Sequence, residues 1–142
     1  MSLSPTRVWR VTQAALVVCG LLPWVLALLP DHRPLLGLAF APACHQLPER
    51  TLHLLGAPMV VCSRCAGIYA GVALGALLPA PPALLPRLRW LIPLSAAPML
   101  LDVALQTAGA YAPWHPSRLL TGAVFGLVVA SGCSGALKRA AR

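Results

Sequence analysis

The sequence predicts an all-α integral membrane protein, a bundle of about four transmembrane helices with a short re-entrant or interfacial segment. Three observations carry that expectation. Of 142 residues, 58% are hydrophobic and 10% charged, with a mean hydropathy of +0.78, which leaves too little polar surface for a soluble domain. Long apolar stretches alternate with short polar ones along the whole chain. The basic residues behind the net charge of +8 are scattered, mostly in pairs at the ends of those stretches. That distribution suits membrane orientation and affinity for anionic lipid, and argues against nucleic acid as a partner.

The first expected span, residues 11–30, is charge-free and about 20 residues long, enough at ~1.5 Å per residue to cross a ~30 Å hydrocarbon core. Arg7 and Arg10 precede it as in a signal peptide, but the stretch exceeds an h-region and no A-x-A pattern closes it, so we expect it to be retained. Residues 34–43 are apolar but too short to span, which suits an interfacial or re-entrant piece. The second span, 59–78, has Pro58 at a first helical position and Pro79, Pro81 and Pro82 ending it. The third, 90–110, contains Asp102 and Gln106, with Pro93 and Pro98 expected to bend it. The fourth, 119–137, is uncharged. Residues 1–142 thus read as a single membrane domain.

Orientation follows the Lys and Arg residues of the short loops. One side holds Arg7, Arg10, Arg87, Arg89, Lys138, Arg139 and Arg142, and the other Arg33, Arg50, Arg64 and Arg118. We therefore expect a multi-pass protein of the inner (plasma) membrane with both termini cytoplasmic. Cys44, Cys62, Cys65, Asp102 and Arg118 then converge at the outer ends of neighbouring helices. An ionisable residue inside a span is costly, so Asp102 is a candidate functional group with Arg118 as its expected partner. The plainer alternative is an ion pair that pins the third helix to the fourth.

On the second span Cys62, Cys65 and Tyr69 share one helical face, and Gly67, Gly71 and Gly75 the other. Glycines four apart, repeated at Gly122 and Gly126, let another helix approach closely, within the chain or in a homo-oligomer. Cys62 and Cys65 form a C-x-x-C whose spacing serves two chemistries. As metal ligands they need partners, and Cys44 and His45 are the nearest candidates. As a redox pair they form a disulfide loop, favoured outside the cytoplasm. Cys19 and Cys133 read as small buried hydrophobes in mid-span, and His32, His53 and His115 as solvated positions. Haem attachment fails because Ala66 follows Cys65, and the deaminase, Walker, H-E-x-x-H and G-x-S-x-G patterns are absent.

Four stretches, "CHQLPERT", "VCSRCAGIYAG", "LLDVALQ" and "SRLLTGAVFG", together resemble the membrane family called domain of unknown function 2085 over roughly residues 40–127. The resemblance implies a multi-span bacterial or archaeal protein. It adds Gln46, Arg50, Arg64, Gln106 and Thr121 to the residues of interest, with Thr51 and Ser63 as mild departures from the expected serine and alanine. It implies no chemistry.

The leading reading is an outer-face site binding a zinc-like metal ion through Cys44, Cys62, Cys65 and His45. One alternative is a membrane thiol oxidoreductase in which Cys62 and Cys65 exchange electrons with a quinone or a partner protein and Cys44 acts as shuttle, similar to vitamin K epoxide reductases in helix count and membrane-border C-x-x-C. Another is the binding of an anionic lipid headgroup or phosphate by Arg50, Arg64 and Arg118, with Asp102 and Gln106 orienting it. If the protein is an enzyme, Asp102, Arg118 and Tyr69 are the catalytic candidates.

Overall fold

A computed structural model describes residues 4–29, 33–112 and 114–142. The chain runs α1 (Pro5–Leu26), α2 (Arg33–Phe40), a 3-10 turn (Pro48–Arg50), β1 (Thr51–Leu54), β2 (Ala57–Cys62), α3 (Ser63–Leu77), a second 3-10 turn (Leu85–Arg87), α4 (Leu88–Thr107) and α5 (His115–Ala140). The architecture is predominantly helical, with one two-stranded sheet. Three helical stretches are long and apolar enough to cross a membrane: Pro5–Leu26, Leu85–Thr107 and His115–Ala140. The fourth apolar helix, α3, has 15 residues and is about 22 Å long at 1.5 Å per residue. Pro30 and His32 lie outside the described residues.

Side-chain contacts give the helix directions. Gln13 near the start of α1 bonds the Ala76 carbonyl at the end of α3, and Trp24 near its end bonds Ala66 near the start, so the two run antiparallel. Gly67 and Gly71 face Leu119 and Ala123 in the same order along α5, so α3 and α5 run parallel. At one end Lys138 of α5 sits 5.6 Å from the Trp9 ring centroid of α1, which puts the start of α1 and the end of α5 at the same end of the bundle. The other end carries α2, the hairpin and the polar residues.

Gly67, Gly71 and Gly75 all abut α5 backbone, and Gly122 and Gly126 abut α3 backbone. The glycine faces that the sequence also offered to a second copy are therefore consumed inside one chain. Between them the helices leave no room for a Cβ, which is how parallel helices without large side chains gain dispersion contact in lipid.

Where the sequence suggested helix from residue 59, residues 57–62 pair as a strand and helix begins only at Ser63. Val60 and Val61 are β-branched and favour extended backbone. The pairing Leu54↔Ala57 closes on a two-residue turn, Leu55 and Gly56, at φ 52° and 80°. Both central residues at positive φ suit the twist of a hairpin. The register slips between Thr51 and His53, so Thr51 faces Cys62. His53 thus lies in β1, and His115 is the first residue of α5, where the sequence suggested loops. Hairpin and α2 close over the main apolar cluster of Ala27, Phe40, Cys44, Met59, Val60, Val61 and Ala66. Cys19 and Cys133, expected buried, lie on the exposed helix surface.

Leu55 has a side chain in a backbone region that disfavours it, at a cost of roughly 1–2 kcal/mol, and is 85% exposed. Leu55→Asn is expected to raise stability by up to about 1 kcal/mol, since Asn tolerates that region. A drop in the unfolding midpoint would show that Leu55 contributes packing instead.

Candidate thiol and arginine site

Two segments distant in sequence deliver three sulfurs. Cys44 follows α2, its amide bonded to the Phe40 carbonyl at 2.9 Å, and is 4% exposed. Cys62 ends β2 and caps α3, and Cys65 lies in the first turn of that helix. All three Sγ atoms fall within 4.8 Å of one another. The Cys62 amide donates to Cys44 Sγ at 3.2 Å. Hydrogen bonds with the Cys44 and then the Cys65 side chain hold the Cys62 thiol far below its ordinary pKa. Hydrogen bonds with Cys44 and then Cys62, together with burial, push the Cys65 thiol up instead, so the pair is poised to carry one negative charge, on Cys62, at neutral pH.

A cavity of about 290 Å³ opens beside the sulfurs. Besides the cysteines it is lined by His45, Gln46 and three arginines, Arg50, Arg64 and Arg118. His45 lies outside the group whose ligand atoms close within 4.8 Å. Arg50 is held by its backbone. The buried Thr51 hydroxyl donates to the Leu47 carbonyl, and the Ser63 hydroxyl donates to the Arg50 carbonyl at 3.1 Å. Thr51 thus closes the Arg50 turn on itself, and Ser63 ties that turn to the start of α3. Gln46 takes φ 51° and donates to the Gly37 carbonyl of α2 at 2.6 Å, which fixes the loop carrying Cys44.

Behind the cavity Asp102, 6% exposed, is the centre of a network. Its ion-pair partner is Arg64, whose Nη2 donates to Oδ2. The expected Asp102–Arg118 pair is corrected accordingly. Arg118 instead donates from Nη1 to Gln106 Oε1 at 3.1 Å, and Gln106 Nε2 donates to Asp102 Oδ1 at 2.9 Å. The reason is geometric. Arg64, in the first turn of α3, reaches across to α4 because α3 and α5 are packed so closely, and a neutral amide then separates Arg118 from the carboxylate.

The hydroxyls of Tyr111 and Ser117 also donate to Asp102 Oδ1, the latter at 3.3 Å. The bond to Asp102 raises the Tyr111 pKa. Sequence reasoning missed both residues. Ser117 had a signal, because it precedes Arg118 inside "SRLLTG". Tyr111 had only its closeness to the third span.

Two expected site residues stand apart. Thr121 donates to the Ser117 carbonyl of its own helix at 2.9 Å and does not line the cavity. Tyr69 makes an edge-on ring contact with Phe40, centroids 5.7 Å apart, and belongs to the apolar packing.

Membrane-length helices beside a trio of cysteines, one buried and two half-buried, and a trio of arginines define a small polytopic membrane protein with a polar site at one end. The chain belongs to the family described as predicted membrane protein (DUF2085), whose model matches residues 44–131 and so takes in every element of that site. It is 34% identical over 91 residues to an uncharacterized protein of Methanocaldococcus jannaschii, an alignment covering 61% of this chain and 58% of that one. The chain thus spans less than two thirds of that relative's length. No solved structure matches it.

Proposed function

We propose that this protein holds a thiophilic metal ion, zinc in the first place, on Cys44, Cys62 and Cys65, facing the extracytoplasmic side. The observation that carries the reading is the convergence of three sulfurs within 4.8 Å, Cys44 from the loop after α2 meeting the Cys62–Cys65 pair at the β2–α3 junction. Zinc–thiolate bonds of about 2.3 Å in a tetrahedron set sulfurs roughly 3.8 Å apart, within reach of small side-chain rotations. All-sulfur donors select zinc or another soft ion over magnesium or calcium. Three protein ligands leave a fourth position toward the cavity, where His45 or an outside ligand completes the shell. The redox alternative, with Cys44 as shuttle thiol to a Cys62–Cys65 pair, uses the same three sulfurs, so metal content and thiol state decide between the two.

Protein purified without chelators should carry about one ion per chain by elemental analysis, with three thiols that alkylate only after denaturation and chelation. Acid should release the ion as the thiolates protonate. Cys44→Ser and Cys65→Ser should each lose it. A metal-free preparation with a stoichiometric Cys62–Cys65 disulfide would overturn this reading in favour of thiol exchange.

The orientation rests on the uneven distribution of Lys and Arg and is supported by the start of α1 and the end of α5 sharing one end of the bundle. In intact cells an impermeant thiol reagent should label a cysteine replacing Leu55 at the hairpin tip, and should leave one replacing Ala83 unlabelled. The reverse pattern would move the site to the cytoplasmic side.

A further inference from the structure

We infer that the cavity beside the sulfurs is a binding site for a phosphate-type oxyanion, held by Arg50, Arg64 and Arg118. This is a second ligand in the same cavity, and it stands on the arginines and not on the metal. Arg118 is 2% exposed, among the largest fully buried side chains, yet its hydrogen-bonding partner is the neutral amide of Gln106. Its Nε, and that of Arg64, are buried with no hydrogen-bond partner among the described residues. A buried cation without a counter-charge is strongly unfavourable.

Apart from the Cys62 thiol, one charge against three guanidiniums, this chain has almost nothing to offer as that counter-charge. It contains three acidic residues, Asp31, Glu49 and Asp102. Asp102 is taken by Arg64, Glu49 is a loose, exposed neighbour 3.8 Å from Arg50 Nε, and Asp31 lies outside the described residues. A divalent ion on three thiolates is net minus one, so three guanidiniums with that centre and Asp102 still leave the cavity positive.

The shape favours an oxyanion over a simple halide. The three guanidiniums come from the Pro48–Arg50 turn, α3 and α5, and so approach from different directions, as the several oxygens of a phosphate require. About 290 Å³ is many times the ~30 Å³ share of one water, which leaves room for a substituent on the phosphate. Cys62, Arg64 and Cys65 line the cavity at the start of α3, where the helix dipole adds partial positive charge. A free phosphate and a lipid phosphomonoester present the same chemistry to these groups.

The test uses the full chain in zwitterionic nanodiscs, titrated calorimetrically with inorganic phosphate and separately with dihexanoyl phosphatidic acid, with and without loaded zinc. We expect saturable one-to-one binding of at least one of them. It should weaken about tenfold or more in Arg118→Gln and in Arg50→Gln, the loss of a charge-assisted hydrogen bond, and persist in Arg87→Gln at the far end. Arg50 is 40% exposed, so its variant tests the site even if Arg118→Gln fails to fold. Binding of inorganic phosphate supports a free anion, and binding of the lipid alone supports a headgroup. Binding of neither, or equal binding by wild type and Arg50→Gln, overturns the inference. Metal content measured on the same samples separates the two readings: phosphate bound without metal sinks the metal site alone, and metal without phosphate sinks this one alone.

Discussion

Asp102→Asn and Arg64→Gln are each expected to destabilise the bundle by about 3–5 kcal/mol, and the double variant by clearly less than the sum. The pair links α4 to the start of α3, with Asp102 6% exposed and the Arg64 side chain 14% exposed. Removing Arg64 strands the Asp102 charge where little water reaches it, and removing Asp102 leaves Arg64 as a third uncompensated guanidinium on the cavity wall. Asp102→Asn has a second cost, because Gln106, Tyr111 and Ser117 all donate to Oδ1 and an amide replaces one acceptor oxygen by a donor. Reversible unfolding in mixed micelles, read by helical circular dichroism, gives the four corners of the cycle. Asp102 with Arg118 should couple more weakly, since Gln106 stands between them. Stronger coupling of Asp102 to Arg118 than to Arg64 would refute the assignment of the pair.

Gly71→Ala should be among the most damaging single-methyl additions in the chain. A Cβ there would fall on the Ala123 carbonyl oxygen and 2.7 Å from the Leu127 amide, and at Gly67 it would fall on the Leu119 carbonyl. Overpacking typically costs about 1–3 kcal/mol when side chains can give way. Here the obstacle is backbone, so the helices must separate, and we expect about 3 kcal/mol or more for Gly71→Ala. Separating α3 from α5 also draws Arg64 away from Arg118, so the proposed anion binding should weaken with stability. A change within ±0.5 kcal/mol, usual for an exposed surface site, would mean that the helices do not meet this closely.

Much of this molecule was legible before any coordinates. Apolar length, proline punctuation and glycine spacing are one-dimensional signals, and each reports a cost that lipid imposes locally. They made the chain a helical membrane protein and marked Gly67, Gly71, Gly122 and Gly126 as close-approach positions. The clustering of Cys44, Cys62 and Cys65 around one polar stretch pointed to the site, and the three sulfurs do converge.

The hairpin was harder to see. In the hydropathy of residues 57–62 a buried strand and the first turn of a span look alike, and periodicity does not separate them in so short a run. The Leu55–Gly56 turn lacks the Asn or Asp that usually marks it.

What the sequence determined by itself was therefore the class of protein, the helices in outline and the kinds of side chain gathered at one end, because composition and periodicity act residue by residue. Partnership was decided by tertiary structure alone. Arg64 and Arg118 are equally basic in the sequence, and only the close parallel packing of α3 against α5 gives Asp102 to the first and leaves the second buried beside an amide. Pairing depends on distances of a few ångströms between helices, and those are set by how backbones fit together in space.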